Sequence, residues 1–239
     1  IGNRQFACWD THNEENLKEA IAHSCNIFFY HTGLLLGPQA IHDYAVKFGL
    51  SKLTGIDLPY EINGFVPDPL WKRIHRFQGW YDGDTANFSI GQGDLLVTPI
   101  QIARLTAVFA NKGTLVNPYI VLNIGGKNMS KYQKKNINLG VKEKIINYLK
   151  QDLKTVVSDP KGTANILAGL PLSVAGKTGT AQVSGNRTHG WFTGFFPADE
   201  PKFVICVFVE NYGSGHAAAV LAKQVIEGIV KENLINENK

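Results

Sequence analysis

The residues best equipped for chemistry lie in one run, Ala175-Gly176-Lys177-Thr178-Gly179-Thr180-Ala181-Gln182-Val183. Side chains alternate through residues 173–183, and the run closes on β-branched Val183, which predicts a strand. Glycines inside a strand weaken it, so Gly176 and Gly179 mark places where another backbone or a ligand comes close. Lys177 sits between them, followed by the hydroxyls of Thr178 and Thr180. An ammonium, two hydroxyls and open backbone N–H groups along a strand edge form a receptor for an extended chain ending in a carboxylate. The guest pairs as an added strand while the side chains hold its charge. A core strand with one stray lysine is the plainer reading, and other residues have to decide.

A strand bearing Lys-Thr-Gly fits a catalytic set of Ser-x-x-Lys, Ser-x-Asn and Lys-Thr-Gly. Ser24-Cys25-Asn26 supplies the second element, ahead of Lys177 in chain order as the set requires. The first element carries the nucleophile and should precede Ser24. The literal match, Ser158-Asp159-Pro160-Lys161, comes after it, and Pro160 forbids the helix interior that would put Ser and Lys on one face. These 239 residues alone are therefore expected not to catalyse acyl transfer. The sequence opens at Ile1 without Met, so the nucleophile segment is expected upstream.

Cys8, His12 and Cys25, with Asp10 nearby, are ligand types that zinc takes in tetrahedral structural sites. Two plainer readings stand beside this one. Cys25 is buried and inert, or Cys8 and Cys25 form a disulfide outside the cytosol. Cys206, inside the apolar run 203–209, reads as a small buried hydrophobe.

The elements that must position these residues follow from periodicity. Thr11 and Glu14 form a capping-box pair ahead of a helix on Leu17, Ala20, Ile21 and Ser24. A second helix covers 26–35, so Ser24-Cys25-Asn26 falls on the turn between two helices. Gly37-Pro38 starts a third helix, which Gly49 closes. Residues 51–93 are Gly-, Pro- and aromatic-rich and read as long ordered loops, ending at Ser89-Ile90-Gly91-Gln92-Gly93. Thr98-Pro99 opens the clearest helix, which stops at Asn111-Lys112-Gly113. Residues 119–124 read as a short strand, 125–138 as a polar excursion, and 141–157 as an amphipathic helix. After the 173–183 strand come a turn at 184–186 and strands over 191–196 and 203–209. The last of these is a continuous apolar run, predicted central and covered on both faces. A helix over 217–230 closes the chain. The fold class is α+β: one antiparallel sheet covered by helices, in a single domain over 1–239.

Composition narrows the partners. The chain is 44% hydrophobic and 18% charged, with a formal net charge of +4. Its basic residues are scattered, and the densest run, Lys131 to Lys135, lies in a polar stretch, which argues against a nucleic-acid surface. No apolar run is long enough to span a membrane, and no signal-peptide pattern opens the sequence.

The combination resembles a known family. Ile90-Gly91-Gln92-Gly93, Thr98-Pro99-Ile100-Gln101, Ala110-Asn111-Lys112-Gly113 and Pro118-Tyr119 look like class B penicillin-binding proteins. So do residues 176–181 and Trp191-Phe192-Thr193-Gly194-Phe195-Phe196-Pro197, while Cys8-Trp9 and residues 24–30 are similar to the penicillin-binding protein 2 type. The resemblance covers nearly the whole chain. It implies the transpeptidase fold with its N-terminal part missing. The implied activity is a D,D-transpeptidase that cross-links peptidoglycan stem peptides in cell-wall elongation and is acylated by β-lactams.

In that scheme Ser24 relays a proton to the leaving nitrogen, Asn26 orients the substrate amide, and Lys177 keeps the site positive. Thr178 and Thr180 bind the terminal carboxylate, the Thr180 N–H beyond Gly179 serves an oxyanion hole, and Gln92 supports the cleft floor. No cofactor is required for this chemistry. Some members carry a structural zinc beside Ser-x-Asn on Asp, His and Cys, to which His12 and Cys25 correspond, with Cys8 where the family has Asp. The resemblance further implies elongation-complex membrane proteins and a glycosyltransferase as partners. It places the domain on the periplasmic side of a bacterial inner membrane, with the anchor outside this chain. A serine β-lactamase or D,D-carboxypeptidase shares these motifs, and a penicillin-sensing scaffold could keep the cleft without the nucleophile.

Overall fold

A computed structural model describes residues 1–129, 135–183, 185, 187–211 and 213–235. Most of the lysine-rich run at 131–135 and two of the three turn positions at 184–186 lie outside the described residues.

The first helix, α1 (Leu17–His23), is capped by Asn16, whose side chain accepts from the Glu19 N–H while the Glu19 carboxylate accepts from the Asn16 N–H. The capping pair predicted at Thr11 and Glu14 is therefore displaced by five residues. Both pairs satisfy the pattern, but only Asn16 adjoins the apolar periodicity, and the Thr11 N–H turns to the Asp10 carboxylate. Helix α2 (Asn26–Leu36) follows after Ser24 and Cys25, and α3 (Pro38–Lys47) begins on Pro38.

Residues 51–93, predicted as long ordered loops, instead contain α4 (Pro69–His75) and α5 (Asp82–Ser89). Asp68 caps the first by accepting from the Trp71 N–H, an Asp-Pro start signal that the aromatic-rich composition masked. The second packs on α2 so closely that a Cβ on Gly33 would overlap that of Ser89. Helix α6 (Pro99–Ala110) has the predicted Thr98 cap in a full capping box with Gln101.

Two small antiparallel pairs lie to one side: β1 (Thr114–Leu115) with β4 (Ile137–Asn138), and β2 (Asn123–Ile124) with β3 (Lys127–Asn128). The predicted 119–124 strand shrinks to its last two residues. The Ile120 and Val121 N–H groups donate to the Asp57 carboxylate instead of to a neighbouring strand.

Helix α7 (Glu143–Ser158) leads through a 3-10 turn at Asn165–Leu167 to the principal sheet of β5 (Ala175–Gln182), β6 (Thr188–Phe196) and β7 (Phe203–Val209). The strands pair antiparallel in the order β5-β6-β7, and α8 (Gly215–Lys231) follows. Phe192 and Phe196 face a core with Ala218, Ala222 and Ile226 of α8 and Val156 of α7, whereas Phe195 packs on the opposite side with Phe109 of α6. The sheet is thus covered on both faces, as an α+β layer requires. The apolar run 203–209 is covered only in part, with its residues half-buried and Phe208 exposed, and among the described residues β7 is an edge strand and β6 the central one. Burial on two faces sets such a run, and it carries no information about lateral neighbours.

Candidate active site

Among the described residues β5 is the other edge of the sheet, which leaves one side of Lys177-Thr178-Gly179-Thr180 without a partner strand. The Thr178 carbonyl accepts from the Lys177 amine at 3.1 Å, and the Thr180 carbonyl from the Gln92 carboxamide at 3.1 Å. A strand residue points its N–H and C=O the same way, so the Thr180 N–H also lies on this free edge. Gln92 reaches it from a loop with left-handed Gly91 (φ 77) and Gly93 (φ 84) on either side, and its own N–H is tied to the Asn87 carbonyl.

The two strand glycines differ in function. A Cβ on Gly176 would lie 2.6 Å from the Thr193 carbonyl and 2.7 Å from the Phe192 ring, so Gly176 admits the neighbouring strand. A Cβ on Gly179 would meet only the Trp191 Cβ at 3.4 Å, an ordinary contact. The close approach there comes instead from α8: a Cβ on Gly215 would fall 2.8 Å from Thr178 Cβ and 2.9 Å from Gly179 N. Gly190 makes the same accommodation from β6, its absent Cβ leaving room for the Ser214 carbonyl.

The N-terminus of a 17-residue helix therefore abuts the strand edge, where its dipole favours an anion. Thr180 accepts from the Gly215 N–H at 2.9 Å, leaving its hydroxyl proton for an acceptor, whereas Thr178 donates its proton to Thr163 at 2.7 Å. Sequence reasoning did not single out Thr163 or Gly190, and it reads Ser214 and Gly215 as a turn at the rim of the cleft where the structure has the start of α8. Of these only the Ser214 cap, which accepts from the Ala217 N–H, carried a legible signal.

Ser24 and Asn26 lie across from this edge. Ser24 ends α1 in the left-handed region (φ 57, ψ 47), a conformation that costs a non-glycine residue roughly 1 kcal/mol or more. Its hydroxyl accepts from the Lys177 amine at 2.9 Å. Lys177 is partly exposed as a residue, but its amine is withdrawn from water, and this desolvation depresses its pKa from 10.5 to about 8. An amine poised there exchanges protons readily at neutral pH. Asn26 is the first residue of α2, and its N–H donates to Cys8 Sγ at 3.2 Å. Ser158 and Lys161 do not share a helix face. Ser158 ends α7, Asp159 caps it, and the Lys161 N–H turns back to the Asp159 side chain.

Behind this turn, one ligand atom each from Cys8, His12 and Cys25 lies within 4.8 Å of the others. They line a cavity of about 460 Å³ together with Asp10 and Glu15. Both cysteines are free thiols, so the disulfide alternative is not realised. Burial pushes the Cys25 thiol upward. The Glu15 carboxylate accepts from His23 Nδ1–H at 2.6 Å, and among the described residues its second oxygen is buried without a hydrogen-bond partner. Two sulfurs, an imidazole and an unsatisfied carboxylate oxygen nearby form a donor set that fits a zinc ion.

Residues 1–227 match the family described as penicillin binding protein transpeptidase domain. A relative from Acinetobacter baumannii, peptidoglycan D,D-transpeptidase MrdA, is 35% identical over 94% of this chain and 36% of its own length. The structure of a Helicobacter pylori penicillin-binding protein (PBP2) in complex with MreC superposes with a TM-score of 0.86 at 32% identity. That match covers 97% of this chain and 43% of the other. Pseudomonas aeruginosa PBP2 in complex with WCK 5153 gives 0.83 at 34% identity, over 95% of this chain and 51% of its own. The chain spans roughly a third to a half of these proteins.

Proposed function

Because the chain belongs to the penicillin-binding protein transpeptidase family, we propose that in its full-length protein it builds the substrate edge and proton relay of a peptidoglycan D,D-transpeptidase. The observation that carries this reading is the 2.9 Å hydrogen bond from the Lys177 amine to the Ser24 hydroxyl beside an unpaired strand edge.

A stem peptide ending in D-Ala-D-Ala lies along β5, its carboxylate at Thr180 and the α8 N-terminus. A serine of a Ser-x-x-Lys segment outside residues 1–239 adds to the penultimate carbonyl as its proton passes to the lysine of that segment. The Thr180 N–H holds the oxyanion, a type of donor worth about 3 kcal/mol in transition-state stabilisation. The C–N bond then breaks. Ser24 passes its proton to the departing D-Ala amine and regains one from Lys177, while Asn26 fixes the substrate amide. An amine of a neighbouring stem then takes the acyl group. A β-lactam undergoes the same addition and stays attached.

Catalysis here needs no cofactor. A zinc held by Cys8, His12 and Cys25 would cross-link the 8–12 segment to the α1–α2 turn. The setting we propose is the periplasmic side of a bacterial inner membrane, in complex with elongation-complex membrane proteins, as in the MreC complex of the Helicobacter relative, and a glycosyltransferase. No described helix is long and apolar enough to cross a membrane.

Labelling the full-length protein with a fluorescent penicillin tests this. A long-lived adduct is expected, formed at least about 100-fold more slowly in Lys177→Ala, the scale of losing a general acid–base group. Rapid turnover of the adduct would indicate a β-lactamase, and absence of any adduct a penicillin-sensing scaffold.

A further inference from the structure

We infer that Trp9 is a positioning residue for Ser24, holding the strained serine turn through its indole N–H. The Trp9 Nε1–H lies 3.1 Å from the His23 carbonyl and 3.1 Å from the Ser24 carbonyl, a shared donation to the last two acceptors of the α1 terminus. The inference rests on the proton-relay reading of Ser24.

The carbonyls at the end of a helix have no partner within it. At α1 the Ala20 carbonyl is met by the Ser24 and Cys25 N–H groups, and the Ala22 carbonyl by the Thr163 N–H. The His23 and Ser24 carbonyls are met by Trp9. Among the described residues no backbone N–H donates to the Ser24 carbonyl. A serine can leave the left-handed region for a commoner one, and doing so would swing its hydroxyl off the Lys177 amine. The indole opposes this by gripping the peptide groups on both sides of the Ser24 α-carbon.

Trp9 is 59% exposed, so burial does not account for its placement. Its ring meets the His12 ring edge-on at 5.7 Å, which fixes its plane, and its N–H is the polar group aimed inward. The adjacent Cys8 takes the Asn26 N–H on Sγ at 3.2 Å. One dipeptide thus holds both ends of Ser24-Cys25-Asn26, and a metal on Cys8 would stiffen the same grip.

Trp9→Phe keeps a ring and removes the donor. In the full-length protein it is expected to slow acylation by a fluorescent penicillin by roughly tenfold, the factor of one to two lost hydrogen bonds, with half-saturating penicillin and zinc content unchanged. In a Ser24→Ala background the same change should have little further effect, because Trp9 acts through the Ser24 hydroxyl. A merely structural tryptophan would give equal losses in both backgrounds, and that result overturns the inference. A wild-type rate for Trp9→Phe, with Ser24→Ala impaired, overturns the clamp alone. A wild-type rate for Ser24→Ala overturns the relay reading and the clamp with it. If Trp9→Phe does not fold, replacing the indole by benzothiophene, which exchanges N–H for sulfur at equal shape, carries the same comparisons.

Discussion

The Lys177 amine donates to the Ser24 hydroxyl at 2.9 Å although 153 positions separate them in the chain. The amine belongs to an edge strand and the hydroxyl to a helix terminus, so the pair exists only when sheet and helices are packed together.

Holding Lys177 away from water has a stability signature. Its pKa falls from 10.5 to about 8 on burial. Below pH 8 both folded and unfolded states carry the proton, and the folded state bears the full desolvation penalty. Between about pH 8 and 10.5 the unfolded state binds more protons than the folded one, so this group makes stability rise with pH. Lys177→Met is therefore expected to be more stable than the parent at pH 7, by on the order of 2 kcal/mol. Urea titrations should show the gap closing as pH approaches 10.5. Penicillin acylation by the parent should decline above about pH 8, where the amine gives up its proton. A stability gap indifferent to pH would refute this account of Lys177.

Gly215→Ala is the most economical way to disturb the carboxylate site. Its Cβ would stand 2.8 Å from that of Thr178 and 2.9 Å from Gly179 N. Helix α8 must then lift from β5, lengthening the Gly215 N–H bond to Thr180. The expected loss is about 1–3 kcal/mol in denaturant unfolding, the range for overpacking, together with weaker capture of penicillin. An exposed change at the other end of the helix, Lys231→Ala, should do neither.

Metal removal offers another test. Added zinc at 100 times its dissociation constant should stabilise the protein by about 2.7 kcal/mol, and chelation should reverse it. Cys25→Ala should abolish the response. Metal analysis of purified protein returning less than about a tenth of an equivalent would reject the Cys8–His12–Cys25 site.

The parts of this fold legible in the sequence were those with a local cause. Thr98-Pro99 starts α6 because cap and proline act on adjacent residues, and Lys177 fell on a strand because alternation is a two-residue pattern. The pairing of Ser24 with Lys177 came through family resemblance, since no local rule spans such a separation. Thr163 and Gly215 were out of reach for a related reason. A threonine that receives another threonine's proton, and a glycine chosen for a helix pressed on a strand, look like any others until the chain is folded. The Asp57 carboxylate illustrates the same limit, diverting two N–H groups from a segment whose composition favoured a strand.

The seating of α8 against β5 ties biogenesis to pharmacology. The helix that presents its first N–H to Thr180 follows β5, β6 and β7 in chain order. A nascent polypeptide halted before Gly215 would display Lys177 without a finished anion pocket, and antibiotic capture should begin only once α8 has docked.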